Sequence, residues 1–175
     1  MSKRNLALFG ATIVSIIYGV TFTIAKDVMP LYIDAYGFIL LRAGGSMILF
    51  WLVWLFMPKE KIVLSDFPRI IAAAFFGVAF NMLTFFKGLS LTSPISAAVI
   101  MVSTPMIVLA LSAIIMKERM KSRMVFGIIL GLIGTGFLIL YGKSVGSATN
   151  AGLGNFLVLV NAISYGFYLI IVKKL

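Results

Sequence analysis

Residues 95–116 read ISAAVIMVSTPMIVLALSAIIM, a run of 22 residues that contains no charged side chain. A helix rises 1.5 Å per residue, so about 20 apolar residues cross the roughly 30 Å hydrocarbon core of a bilayer. The run is therefore long enough to span a membrane as a helix. A membrane β-strand is excluded, because its apolar and polar residues alternate over only about 10 residues.

Stretches of the same kind fill most of the 175-residue chain. With 62% hydrophobic and 11% charged residues, the chain has too few polar side chains to cover the surface of a soluble domain. The sequence predicts an all-α, multi-pass transmembrane helix bundle surrounded by the lipid bilayer. The six predicted helices are Leu6–Ala25, Tyr36–Met57, Phe67–Phe86, Ile95–Met116, Met124–Tyr141 and Leu153–Val172.

The net charge of +10 is concentrated in alternate loops. Eleven of the fifteen Lys and Arg residues lie at the amino terminus, in the second and fourth loops and at the carboxyl end, which share one side of six alternating helices. The positive-inside rule assigns that side to the cytoplasm. We expect an integral protein of a bacterial or archaeal plasma (inner) membrane with a cytoplasmic amino terminus. The basic loops are interpreted as topology signals that touch anionic lipids, and no nucleic-acid partner is expected.

The sixth helix repeats the first. Ser15–Lys26 and Ala162–Lys173, which are 147 residues apart, share five of twelve residues, including Tyr-Gly pairs at Tyr18 and Tyr165. Because each repeat contains five helices, an odd number, the sixth helix must run opposite to the first. This is the arrangement of inverted-repeat transporters.

The order and spacing of several motifs resemble the drug/metabolite transporter superfamily and its EamA-type repeat. The matching segments are Tyr18–Lys26 in helix 1, Leu41–Ala43 around an arginine in helix 2, Gly88–Ala98 at the junction of helices 3 and 4, Thr104-Pro105, Lys117-Glu118-Arg119, and the glycines from Gly127 to Gly134. The resemblance implies ten helices in two repeats around a cavity walled by helices 1–4 of each. Residues 1–147 would then form the first EamA-like repeat, and residues 148–175 the first helix of a second, truncated repeat.

The resemblance further implies a membrane transporter for a small-molecule substrate, an amino acid or a drug-like compound, moved in the export direction. Transport would be secondary or facilitated, by alternating access, because the glycine-rich segment lacks the Lys-Ser/Thr of a phosphate-binding loop. The alternative is a non-transporting assembly subunit, or a half-transporter that needs its missing second repeat or a dimer partner. An enzyme is not expected, because the chain has no His and no Cys; neither a cofactor nor a metal site is expected.

Small and polar residues share one face on four of the predicted helices, as spacing at 100° per residue shows. Such a face permits close helix contact or lines a cavity, and both interpretations stay open. Asn81 and Asn161 are either interhelical hydrogen-bonding residues or cavity residues, because an amide side chain has no local backbone partner for most of its hydrogen-bonding sites. The uncharged cavity candidates are Ser15, Gly19, Thr23, Asn81, Thr84, Ser103, Asn161 and Ser164.

Lys26, Arg42 and Lys87 are charged candidates in the outer halves of the first three helices. Ionisable side chains inside a membrane are costly unless they are paired, hydrated or able to reach the headgroups. The three cations either converge on an anionic substrate group, with Asp27 or Asp34 as resting counter-ions, or extend to the outer headgroups.

Two further features concern the shape of the helices. Pro105 lies midway along helix 4, where its missing N–H predicts a kink that is either a hinge or a static bend. Gly127, Gly131 and Gly134 lie within about 60° of one another on helix 5 and predict a helix-packing seam.

Overall fold

The computed structural model describes residues 3–57, 62–117, 121–141, 149–173 and 175. Six helices follow one another in these residues, none of which belongs to a strand, so the predicted all-α bundle is confirmed. The helices are α1 (Lys3–Leu31), α2 (Ala35–Trp54), α3 (from Phe67 to Leu91), α4 (Pro94–Met116), α5 (Ser122–Tyr141) and α6 (Ala151–Val172).

Two helices contain a local change in geometry. In α3, the α-helical segments Phe67–Ala74 and Phe80–Leu91 are joined by a π-helical turn, Phe75–Ala79. In α4, the segments Pro94–Val102 and Thr104–Met116 meet at Ser103, two residues before Pro105. Proline lacks a backbone N–H and its ring clashes with the carbonyl four residues earlier, which accounts for an interruption at this place.

Five helical spans are long and apolar enough to cross a bilayer, namely Arg4–Met29, Ala35–Trp54, Leu64–Leu91, Pro94–Met116 and Ala151–Val172. In α5, the apolar part found among the described residues is the shorter segment Ser122–Gly134. The prediction that the first helix ends at Ala25 is wrong, since α1 continues to Leu31. The charge of Lys26 does not end the helix, because its side chain is buried and hydrogen-bonded.

Helix α6 packs most extensively on α3, and the two helices run antiparallel. The direction follows from the contacts between them, because the residue numbers of the contacting positions decrease along α6 as they increase along α3. The paired positions are Phe76 with Ser164, Asn81 with Asn161, Gly88 with Gly154, and Leu91 with Asn150.

Two glycines bring the backbones of α3 and α6 into contact. A Cβ atom added to Gly88 would lie 2.8 Å from the carbonyl oxygen of Gly154, and one added to Gly154 would lie 2.8 Å from that of Gly88. A side chain at either position would therefore push the helices apart. Small residues at such crossings let membrane helices approach closely enough for extensive van der Waals contact.

Polar bonds join the same two helices along their length. The Thr92 hydroxyl donates to Oδ1 of Asn155 at 2.6 Å, and the Ser164 hydroxyl donates to the carbonyl oxygen of Phe76 at 2.6 Å. Phe76 belongs to the π-helical turn, so α6 supplies a donor to a carbonyl in the irregular part of α3. In lipid, such interhelical bonds are worth about 0.6–2 kcal/mol each.

Lys26 links α1 to the end of α3 by hydrogen bonds. Its Nζ donates to the carbonyl oxygens of Leu89 at 3.2 Å and Ser90 at 2.8 Å. Carbonyls in the last turn of a helix have no partner within the helix, so a buried ammonium group there satisfies both acceptors. Phe22, Ala25 and Met29 on the same part of α1 are buried in the core, whereas every residue from Arg4 to Val20 is exposed.

Replacing Gly154 with Ala is expected to lower the free energy of unfolding by about 1–3 kcal/mol, because the added methyl group meets the Gly88 carbonyl oxygen. Gly152→Ala, two residues earlier on α6, is the matched control, since nothing lies within 4 Å of its Cβ position. Unfolding of the two variants in detergent, followed by circular dichroism, measures the difference. Equal stability of the two variants would contradict the close contact.

Lys26→Met is expected to cost about 1–3 kcal/mol, because two carbonyl oxygens lose a charged donor. Lys87→Met should cost less than about 1 kcal/mol, since the contact of the Lys87 ammonium group among the described residues is with the Tyr36 ring, 5.2 Å from its centroid. The same unfolding measurement compares them. A larger effect for Lys87→Met would show that Lys26 does not anchor α1.

Candidate functional site

A cavity of about 790 Å³ lies among α1, α2, α3, α4 and α6, and is called the central cavity here. Its volume falls within the 300–1,000 Å³ range of small-molecule sites. The described lining residues are Tyr18, Thr21 and Phe22 on α1, Arg42 on α2, Asn81, Met82, Phe85 and Phe86 on α3, Met101, Thr104, Pro105, Val108, Leu109 and Ser112 on α4, and Asn161, Tyr165 and Leu169 on α6.

Aromatic rings form a continuous part of the wall. Tyr18 packs edge-to-face on Phe22, Phe22 on Phe85, and Phe85 on Phe86, with ring centroids 5.1–5.5 Å apart. Edge-to-face contacts of this kind stabilise an aromatic pair by about 0.5–1.5 kcal/mol beyond the burial of its surface. The rings therefore offer a preorganised apolar surface to a bound molecule.

Arg42 is the one charged residue among the described lining residues. Its guanidinium carbon lies 5.3 Å from the centroid of the Phe86 ring, which is within the range of a cation–π interaction. Among the described residues it forms neither a hydrogen bond nor an ion pair. Its N–H groups therefore remain available to an anionic ligand.

Asn81 and Asn161 connect α3 to α6 beside the cavity. The Asn161 amide donates to the Asn81 carbonyl oxygen at 2.8 Å, and the Asn81 amide donates to the Asn161 carbonyl oxygen at 3.4 Å. Asn161 is 1% exposed, and its Oδ1 is the one buried side-chain atom without a hydrogen-bond partner in the described structure. The pair thus links the helices and leaves one acceptor unused.

The interruption in α4 contributes to the cavity wall. Thr104 and Pro105 line the cavity directly after the break at Ser103, and Val108 and Ser112 continue the lining along the second segment. These positions are spaced by three or four residues, so they share one helical face. The Ser112 hydroxyl contacts Sδ of Met116 at 3.4 Å.

Four of the residues selected from the sequence lie together in the cavity wall: Arg42, Asn81, Pro105 and Asn161. Ser15, Gly19 and Thr23 lie on an exposed face of α1, and the Ser15 hydroxyl donates to the carbonyl of Ala11 at 2.9 Å. The remaining candidates, Lys26, Thr84, Lys87, Ser103 and Ser164, are placed outside the described cavity lining.

Each of these outlying residues has another contact. Thr84 donates to the carbonyl of Phe80 at 2.8 Å within its own helix, and Ser164 bonds to α3. Lys26 bonds to the end of α3 and Lys87 stacks on Tyr36, so the three outer cations do not converge. In the described structure, neither Asp27 nor Asp34 forms an ion pair with any of the three cations. In this structure the two aspartates are therefore not paired with these cations.

The glycines of α5 differ from one another in their surroundings. A Cβ atom at Gly131 would collide with Sδ of Met106 on α4, whereas nothing lies within 4 Å of the Cβ positions of Gly127 and Gly134. Ile128 is buried on the same helix. Helix α5 thus contacts α4 through Gly131.

Sequence reasoning missed the aromatic part of the wall. Phe22, Phe85 and Phe86 are indistinguishable from lipid-facing aromatic residues by composition alone. A usable signal was the internal repeat, because Tyr18 and Phe22 on α1 correspond, at the offset of 147 residues, to Tyr165 and Leu169 on α6. All four line the central cavity.

Comparisons with known proteins show which family the chain resembles. Residues 5–140, which extend over α1 to α5, match the EamA-like transporter family. A relative described as "Uncharacterized transporter YyaM", from Bacillus subtilis (strain 168), is 30% identical over 132 residues. The alignment covers 74% of this chain and 43% of the relative, so the chain spans less than half of that protein's length.

No solved structure matches the chain. The family match nevertheless covers most of the sequence and confirms the resemblance seen in its motifs. The chain belongs to the EamA-like transporter family.

Proposed function

We propose that the central cavity is the substrate site of a secondary or facilitated transporter, which exports a small metabolite such as an amino acid or a drug-like compound. The observation that carries this proposal is the Arg42 side chain in an aromatic-walled cavity, with no hydrogen bond or ion pair to any described residue. Intramembrane ionisable residues are rare, and those that face a cavity commonly belong to substrate or ion pathways.

The break in α4 supports an alternating-access mechanism. Interrupted helices are common at the substrate sites of secondary transporters, where backbone irregularity is tolerated because it lines a cavity. Thr104 and Pro105 belong both to the break and to the cavity wall. A change in the angle between the two segments of α4 would therefore change the shape of the site.

The repeat supports a second five-helix unit opposite the first. In α6, Gly166 packs against Leu111 of α4, with a Cβ-position distance of 2.7 Å. The corresponding Gly19 on α1 has nothing within 4 Å. By the symmetry of an inverted repeat, Gly19 would pack against the fourth helix of a second unit. In this proposal residues 1–147 form the first unit and residues 148–175 begin the second.

A second repeat or a dimer partner would supply that unit. It would cover the face of α1 that carries Ser15, Gly19 and Thr23, and place these residues near the substrate path. This also gives the alternative function a physical basis, since a chain with an uncovered α1 face would act as a half-transporter that requires a partner.

The protein is proposed to lie in the plasma (inner) membrane of a bacterial or archaeal cell, with its amino terminus in the cytoplasm. The chain has no Cys, so single cysteines report topology without background. Tyr32→Cys, at a side chain that is 83% exposed between α1 and α2, is expected to react with an impermeant maleimide in intact cells. Ser122→Cys, at the start of α5, should react only after permeabilisation. The opposite pattern would reverse the orientation.

Val108→Trp is expected to reduce substrate counterflow into proteoliposomes by at least about tenfold, because the indole fills part of the central cavity. Val99→Trp on the other segment of α4 is the matched control, since Val99 is 51% exposed and lies away from the described cavity lining. Amino acids, sugars and organic ions serve as the panel. If Val108→Trp retains normal flux, the central cavity is not on the transport path. If the unmodified chain shows no flux for any compound, the assembly-subunit alternative is favoured.

A further inference from the structure

We infer that the central cavity selects apolar compounds that carry a carboxylate group and no compensating positive charge. This inference rests on the proposed function, in which the same cavity is the transport site, and it narrows the substrate from amino acids and drug-like compounds to organic acids without an ammonium group. Zwitterionic compounds with the same apolar body would bind more weakly, and the corresponding organic cations would be rejected.

Among the described residues, nothing balances the charge of Arg42 in the cavity. Arg42 lines the cavity about two turns from the start of α2, and no described carboxylate approaches within 4 Å of it. A charge in a medium of low polarity interacts more strongly with an ion than the same charge in water. An anionic group would therefore gain the full attraction of Arg42, and a cationic group would be repelled by it.

The cation–π contact with Phe86 does not use all five N–H donors of Arg42. In a stacked cation–π contact, the flat face of the guanidinium group lies against the ring. Its N–H donors point outward in the plane of the group. Two parallel N–H groups match the two oxygens of a carboxylate. One cation matches a monovalent oxyanion better than a phosphate dianion, which would retain an unbalanced charge.

An ammonium group has no ionic partner in this part of the wall. The described carboxylates, those of Asp27, Asp34 and Asp66, are absent from the cavity lining, and Asp66 pairs with Arg69 at 3.6 Å. The uncharged acceptor Oδ1 of Asn161 is buried near the Asn81 contact. Because this oxygen is buried, it is not accessible to an ammonium group in the cavity and provides no partner for one.

The rest of the ligand would contact the aromatic wall. Tyr18, Phe22 and Phe85 present ring edges and faces in a connected series that ends at Phe86, which is the ring beneath Arg42. A ligand whose carboxylate lies at Arg42 thus places its apolar part along these rings. Aryl and branched alkyl carboxylates fit this division between one charged end and an apolar body.

Three ligands with the same phenylethyl body test the inference: 3-phenylpropanoate, phenylalanine and 2-phenylethylammonium. Isothermal titration calorimetry on the full chain in detergent is expected to show the tightest binding for the anion, about tenfold weaker binding for the zwitterion, and none for the cation. Arg42→Gln should weaken binding of the anion at least tenfold. Arg42→Lys, which keeps the charge, should give an intermediate loss.

Lys87→Gln is the matched control, because Lys87 also stacks on an aromatic ring but lies outside the described cavity lining. It should leave all three affinities unchanged. The inference is overturned if the cation binds as tightly as the anion, if none of the three binds, or if Lys87→Gln weakens binding as much as Arg42→Gln. Circular dichroism checks that each variant retains its helical content.

Counterflow in proteoliposomes separates this inference from the proposed function. Selective binding of the anion without any flux would support the ligand class and contradict transport through this chain. Flux that favours 2-phenylethylammonium would support transport and overturn the ligand class.

Discussion

The approach of α3 and α6 at Gly88 and Gly154 is the contact on which the remaining structure depends. Each glycine faces the backbone of the opposite helix, so the two helices have no room for side chains at this crossing. This closeness brings Asn81 and Asn161 within hydrogen-bonding distance and lets Ser164 reach the carbonyl of Phe76. In lipid there is little hydrophobic force to hold helices together, so packing and polar bonds at such places determine the arrangement. The position of the cavity wall follows from this pair.

The helices were predictable from sequence because length and apolar character are sufficient to identify a membrane span. The inward-facing side of each helix was less predictable, since lipid and helix interior are similarly apolar. Asn81 and Asn161 were selected correctly as residues that require partners outside their own helices. Ser15 and Thr84 show why hydroxyl groups are weak indicators, because each donates to a carbonyl four residues earlier in its own helix.

Lys26, Arg42 and Lys87 carry the same charge and occupy three different environments. Lys26 is buried against backbone carbonyls, Lys87 stacks on a tyrosine, and Arg42 reaches the cavity. Their position along the chain predicted only that all three lie in the outer half of the bundle. The distinction depends on which neighbouring helix each side chain meets, and that information comes from tertiary packing. A functional interpretation of intramembrane charge therefore requires the partner of each charge to be known.

The π-helical turn Phe75–Ala79 has a consequence for the register of α3. A π turn spaces its hydrogen bonds by five residues instead of four, so it accommodates one residue more than a regular turn. Each residue of an α-helix advances the side-chain direction by about 100°, and the extra residue absorbs one such step. Phe76, whose carbonyl oxygen accepts from Ser164, and Asn81, which bonds to Asn161, are five residues apart, so the π turn lets both face α6. The π turn therefore sets how the first segment of α3 is rotated relative to the second, and α6 contacts both segments.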